Sequence, residues 1–290
     1  MNEFNGKVYG VPIQESSAGF YYNKSVFAAA GIDVSGYTVE NPWTFAEFKS
    51  VCQRLVGHVD IPVDMRLDAT RDETATYLLY PFIYAAGGSF VNPSDGKQVQ
   101  GYLNSAKSIK GFQFLKDLYS SSYTSFTTPS TGFFANPPTV GMYLSSGWTI
   151  PTLDLEYKRD RATWGLLPYP KDEARASATG SWSYGLTKDT EAGRLLLKWL
   201  ASEESAQVVT DATGMIPAYK SLGNDYSEGT PEYVLRKQLE ICGTPRPETV
   251  GYNEFSSAFR AIIAGLKNTN DVSGLVNSVT TDLQRELNEK

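Results

Sequence analysis

Strand-like and helix-like segments alternate along this chain, and that alternation points to the α/β class. Residues 7–13 and 19–22 read as strands. Thr44, Phe45, Ala46 and Glu47 then spell a capping box, with Thr44 as N-cap and Glu47 reaching back. The helix behind it runs to about residue 57, with Phe45, Phe48, Val51, Cys52 and Leu55 on one stripe. Residues 66–73 mix Arg with carboxylates and read as a solvated loop. Residues 77–86 are apolar and aromatic until Gly87 and Gly88 break them. Residues 92–96, Asn-Pro-Ser-Asp-Gly, form a turn. Residues 105–120 are amphipathic, with Ile109, Phe112, Leu115 and Tyr119 on one face. Short strands are expected at 140–144, 163–167 and 180–187. Helices are expected at 191–201, 202–212, 232–241, 254–266 and 272–287. The sequence has no internal repeat and no low-complexity tract.

Composition excludes several functions. The 290 residues suffice for about two domains. Lys and Arg number 26 against 32 Asp and Glu, a net charge of −6. That balance argues against a nucleic-acid surface, which needs a basic stripe, and against an acidic membrane. The single His, His58, makes zinc sites and His-based triads poor candidates and reads as a capping or surface residue. The two cysteines cannot make a disulfide framework. Cys52 reads as a small buried hydrophobe. Cys242 ends another helix, and spacing alone leaves a bond between the two open. No run approaches the ~20 apolar residues of a membrane span. The first residues lack a basic n-region and an apolar h-region, which at face value means a cytoplasmic chain.

Catalytic motifs are equally sparse. The chain has no Walker loop and no dinucleotide fingerprint, and no metal or cofactor is expected. Residues 180–185 have the wrong glycine spacing for a nucleophile elbow. Asn268, Asn270 and Asp271 faintly resemble a calcium loop, but the sixth position is Ser273, so they read as a helix N-terminus. Glu15, Asp72, Glu73, Asp154 and Glu156 could serve a glycosidase, yet nothing picks a pair. Aromatics reach 13%, with 18 Tyr, 14 Phe and 5 Trp. Tyr and Trp offer flat apolar faces with a polar tip, which suits the C–H face and hydroxyl rim of a sugar.

Five segments carry a family resemblance. The first is Gly6-Lys7-Val8-Tyr9-Gly10-Val11-Pro12, followed by Gly19-Phe20-Tyr21-Tyr22-Asn23-Lys24 and Phe27. Pro42-Trp43-Thr44-Phe45-Ala46-Glu47-Phe48 is the second. Gly141-Met142-Tyr143 with Ser146-Gly147-Trp148 is the third. The fourth is Trp164-Gly165 with Pro168, then residues 180–187. The last runs from Leu197-Lys198-Trp199-Leu200 through residues 202–207 to Ile216-Pro217-Ala218. In this order they resemble the family 1 extracellular solute-binding proteins of ABC importers, the maltose-binding-protein-like carbohydrate binders. The resemblance implies an α/β, periplasmic-binding-protein-like two-lobe fold (type II), with a near-complete second lobe and a partial first lobe. Residues 1–168 would begin the second lobe, 169–214 would cross back to the first, and 215–290 would return. Met1 would then be an internal methionine of a longer, lipoprotein-anchored extracellular or periplasmic protein.

The implied activity is capture of a mono- or oligosaccharide between the lobes and delivery to the permease subunits, with no bond broken. Trp148 matches the family's stacking tryptophan after a glycine turn. Tyr77 and Tyr80 match aromatics before the Ala85-Ala86-Gly87-Gly88 segment, Tyr77 at a stacking position. Glu15 and Ser16 lie where relatives place polar sugar contacts. Ser16 stands where maltose-binding protein has a carboxylate, which puts a maltose preference in doubt. Ser181 and Trp182 sit on the cross-back strand, Met215 opens the return segment, and Phe255 lies near another stacking position. Trp43, Trp164 and Trp199 are assigned to packing. A carbohydrate-active hydrolase and a truncated remnant that does not bind are the alternatives.

Overall fold

A single residue, Ser17, separates two strands that belong to different sheets. The computed structural model describes residues 3–4, 6–127, 131–223 and 225–290. In it β1 (Glu3–Phe4) and β2 (Lys7–Val8) form a hairpin. Next come β3 (Val11–Ser16), β4 (Ala18–Asn23), α1 (Lys24–Ala29), α2 (Phe45–Leu55), β5 (Ile61–Asp64), α3 (Glu73–Ala85), α4 (Ala106–Ser120) and β6 (Val140–Ser146). A helical turn, α5 (Thr149–Pro151), runs into a π-helix at Thr152–Glu156. Then follow β7 (Trp164–Leu167), β8 (Ser177–Ala178), β9 (Gly180–Tyr184), α6 (Glu191–Leu200), α7 (Glu203–Thr213) and β10 (Ile216–Pro217). The remaining elements are α8 (Pro231–Cys242), β11 (Gly243–Thr244), α9 (Tyr252–Gly265) and α10 (Val272–Asn288).

The larger sheet has the order β5-β6-β4-β7, with β4 antiparallel to both neighbours and β5 parallel to β6. Residues 18–22 of β4 and all of β6 are buried, as strands covered on both faces must be. The capping box forms: Thr44 N–H donates to Glu47 Oε2 at 2.7 Å, and Glu47 N–H donates to Thr44 Oγ1 at 3.2 Å. It starts α2 so that Phe45 stacks on Phe114 of α4 with ring centres 3.9 Å apart. Helices α3 and α4 cross closely because residue 111 is glycine: a Cβ there would sit 2.8 Å from Ile83 Cα. Helices α9 and α10 complete this main core through Phe255, Phe259, Ile262, Val276 and Leu283.

The smaller sheet has the order β10-β3-β9, all antiparallel. Buried Ser17, between the sheets, accepts from Gln238 Nε2 at 3.0 Å, and its carbonyl accepts from Ser146 Oγ at 2.6 Å. A lone break in the strand run is thereby tied to both α8 and β6.

Several expectations change. Helix α3 starts at Glu73 because Asp72 accepts from Thr74 N–H at 2.8 Å and caps it. The segment before it is not simply solvated, since Met65 and Leu67 are fully buried. Strand β5, helix α1 and the helical segment after Trp148 escaped the sequence reading, which had no periodic run to work from. Tyr169, Ala176 and Ala178 belong to the main core, and Gly180 opens β9, which pairs with β3 in the smaller sheet. Strand β10 also pairs with β3, and α8 is the next element packed on the larger sheet. Trp43 and Trp164 are buried, but Trp199 is 51% exposed rather than packed. Cys52 and Cys242 are both free thiols. Among the described residues no helix is long and apolar enough to cross a membrane.

Candidate functional site

Where the two sheets meet, five parts of the chain converge on an open groove of about 380 Å³. Ser16 comes from β3, and Gly180, Ser181 and Trp182 from β9. Glu73, Thr74 and Tyr77 come from the first turns of α3. Trp148 follows β6, and Arg246 follows β11. Strand pairing sets part of this, since Ser16 lies opposite Gly180 in the β3–β9 register. A Cβ at position 180 would meet Ser16 Oγ at 2.9 Å and Tyr77 Cε2 at 3.2 Å, so the missing side chain lets the ring approach.

Tyr77 is the buried anchor of the groove, 7% exposed. Ser16 Oγ donates to Gly180 O at 2.9 Å, and Ser146 Oγ donates to Ser17 O at 2.6 Å. The Tyr77 hydroxyl lies 2.9 Å from Ser16 Oγ and 3.3 Å from Ser146 Oγ. With both serine protons engaged, the Tyr77 proton is shared between the two serine oxygens. Burial raises the Tyr77 pKa, so the phenol stays neutral at ordinary pH. Trp148 meets the Tyr77 ring with centroids 5.8 Å apart and planes 38° apart. Yet Trp148 keeps 41% of its surface exposed and Trp182 keeps 69%. Two large rings are thus held open to solvent beside a buried polar network.

The other end of the groove is a charged cluster. Glu73 Oε1 accepts from Arg246 Nη1 at 2.9 Å and from the Tyr252 hydroxyl. Glu73 Oε2 accepts from Ser256 Oγ at 2.6 Å. The Arg246 guanidinium lies 5.8 Å from the centres of both the Tyr77 and the Tyr252 rings. Burial pushes the Tyr252 phenol up, and the bond to Glu73 adds to that.

Ser16, Tyr77, Trp148, Ser181 and Trp182 are therefore brought together, while four other expected site residues are not. Glu15 precedes Ser16 on a strand, where neighbours point to opposite faces, so it lines a separate cavity of about 700 Å³ with Tyr219 and Arg236. Burial raises its carboxyl, and a hydrogen bond from Ser181 partly offsets this. Tyr80 is fully buried, its hydroxyl accepting from Thr179 N–H at 2.9 Å and donating to Thr244 O. Phe255 is fully buried against Phe90, ring centres 5.2 Å apart, so it serves the core. Tyr252, one turn earlier on α9, is the aromatic that reaches the charged cluster. Met215 is half-buried beside Gly147 rather than in the groove.

The sequence reading missed Thr74 and Arg246, and it weighed Glu73 only as one carboxylate among several. Arg246 stands between two prolines with no periodic signal around it. Of the five carboxylates a hydrolase could draw on, Glu73 is the one that lines the groove, and it is bonded to Arg246. Asp154 pairs with Arg161 at 2.6 Å, and Asp72 caps α3.

Comparison with known proteins adds to this geometry. Residues 2–234 match a family described as bacterial extracellular solute-binding protein. The GacH receptor of Streptomyces glaucescens, solved unliganded and with acarbose, matches with a TM-score of 0.81 at 20% identity. The match covers 100% of this chain and 73% of that one. An ABC transporter solute-binding protein from Thermotoga lettingae, bound with α-D-tagatose, matches at 0.83 and 16% identity over 99% of this chain and 74% of that one. UgpB from Mycobacterium tuberculosis, in complex with glycerophosphocholine, matches at 0.78 and 19% identity over 99% and 73%. At such identities the likeness speaks for the fold, and it is the two-lobe α/β architecture that the motifs implied.

Proposed function

The chain belongs to the bacterial extracellular solute-binding proteins, and on that premise we propose that it captures a carbohydrate in the Trp148–Trp182 groove for an ABC importer. The observation that carries this reading is the pairing of two exposed indole rings with the buried Ser16–Tyr77–Ser146 network. A sugar ring stacks its apolar face on the indoles and turns its hydroxyl rim to polar groups. GacH and the tagatose-bound protein, whose ligands are sugars or sugar-like, support the choice of ligand class.

Under this reading the main body is the second lobe, and the smaller sheet with α6 and α7 is the part of the first lobe that faces it. Ligand capture closes the lobes, and the closed form is what permease subunits recognise. The protein acts outside the cytoplasm, held to the membrane by a lipid anchor, and breaks no bond. Ser16, Tyr77, Trp148, Ser181 and Trp182 are the ligand contacts.

Calorimetry with a set of neutral mono- and oligosaccharides tests the proposal. One sugar class should bind stoichiometrically without turnover. Trp148→Ala should then weaken that binding by about tenfold or more with little loss of stability, because a half-exposed ring contributes more to the ligand than to the core. Unchanged affinity would remove Trp148 from the site, and product formation would establish a hydrolase instead.

A further inference from the structure

We propose that Arg246, held in place by Glu73, is a specificity-determining residue of the groove, and that the pair selects an uncharged, oxygen-rich ligand over an oxyanion. The inference rests on the carbohydrate reading above. Arg246 lines the groove. A guanidinium carries several N–H donors in a fixed fork and no acceptor. One nitrogen, Nη1, donates to Glu73 Oε1 at 2.9 Å. The planar group also lies 5.8 Å from the centres of two rings, Tyr77 and Tyr252, so its orientation is set before any ligand arrives. A ligand ring resting on the exposed face of Trp148, beside Tyr77, brings its oxygens to the same guanidinium.

Glu73 supplies the selection. Its two oxygens accept from Arg246, Tyr252 and Ser256, and Ser256 Oγ is in turn 2.8 Å from Thr76 Oγ1. Glu73 therefore acts through Arg246 and is a positioning residue. The pair carries no net charge, so a phosphate would meet a cation already balanced and a carboxylate close behind it. A sugar oxygen accepts the same N–H groups without adding charge.

The test uses calorimetry on the full chain with two probes, a set of neutral mono- and oligosaccharides and sn-glycerol 3-phosphate. The wild type should bind a neutral sugar and not the phosphate. R246K keeps the charge but loses the planar fork, and it should weaken the neutral sugar by about tenfold, as should R246M. E73Q removes the balancing charge and should shift the preference toward sn-glycerol 3-phosphate by about tenfold, a change of selectivity that a structural tie would not produce. If R246M does not fold, R246K carries the measurement. If both Arg246 variants bind sugar as the wild type does while W148A does not, Arg246 is only a structural tie and the proposal falls alone. An unchanged ratio in E73Q overturns the selecting role of Glu73. A wild type that binds no sugar, or that prefers sn-glycerol 3-phosphate, overturns the carbohydrate reading and this inference together.

Discussion

Helices α2 and α6 are both short, both capped by threonine and both amphipathic, yet one is buried along a whole face and the other is not. Helix α2 buries Phe45, Phe48, Val51, Cys52 and Leu55. Helix α6 buries nothing: Leu195, Leu196 and Trp199 are 63%, 58% and 51% exposed. The periodicity of a sequence decides that a helix forms and which face is apolar. Burial is decided by what stands opposite. The larger sheet supplies that surface to α2, and the smaller sheet does not supply it to α6. The groove lies where these two regions meet, one wall packed on the main core and the other lightly supported.

The largest expected effect sits in the main core. Phe82 is fully buried and touches Phe20, Phe45, Phe114 and Tyr169, the last with ring centres 5.3 Å apart. Phe82→Ala should cost about 3–5 kcal/mol in urea denaturation, because the surrounding rings cannot close the cavity. A cost below about 1 kcal/mol would mean that this core is far looser than its contacts imply.

Next comes a buried carboxyl in the same body. Asp64 is 1% exposed, accepts Arg66 N–H at 2.8 Å, and burial pushes its pKa up to about 7. An unfolded Asp titrates near 3.9. Between those values the folded state binds the extra proton, so stability falls as pH rises from about 4 to about 7, by an amount on the order of 4 kcal/mol. Asp64→Asn should flatten that slope, read from urea midpoints across the pH range. Glu15, the half-buried carboxylate of the smaller sheet, is raised in the same sense by burial, so Glu15→Gln should flatten the slope less.

The regions also differ in how much of them the sequence reveals. Local chemistry was legible: the Thr44–Glu47 box, the α2 and α4 stripes and the five motifs all concern residues close in sequence. Facing was not. Glu15 and Ser16 are adjacent, and only register shows that Ser16 turns to the groove. Tyr77 and Tyr80 lie one turn apart on α3, and only the packing of Thr179 and Thr244 takes Tyr80 inward. Arg246 and Glu73 meet across an ion pair that no local pattern encodes. A glycine approach such as Gly180 on Tyr77 is equally invisible before the fold brings the two together.

Helix caps give a smaller contrast. Thr44 caps α2 and Thr190 caps α6, each side chain accepting a backbone N–H. Thr44→Ala should lower global stability by about 1 kcal/mol, since α2 unfolds only with the core. Thr190→Ala should leave the urea midpoint nearly unchanged and instead speed amide exchange in α6, which can open by itself. Equal global losses would mean that the two helices unfold as one unit.

The smallest effect is the most telling. Trp199→Ser removes a large ring, and on composition alone it resembles the Phe82 change. Burial makes the difference: the ring keeps 51% of its surface in water where Phe82 keeps none. The free energy of a buried aromatic comes from the area withdrawn from water and from the contacts that replace it. Half-exposed Trp199 has gained little of either, so Trp199→Ser should shift stability by no more than about 0.5 kcal/mol. A loss of about 2 kcal/mol or more would require a surface over α6 in solution. The two regions would then differ in how strongly they are packed, and not in whether an apolar face has found a partner.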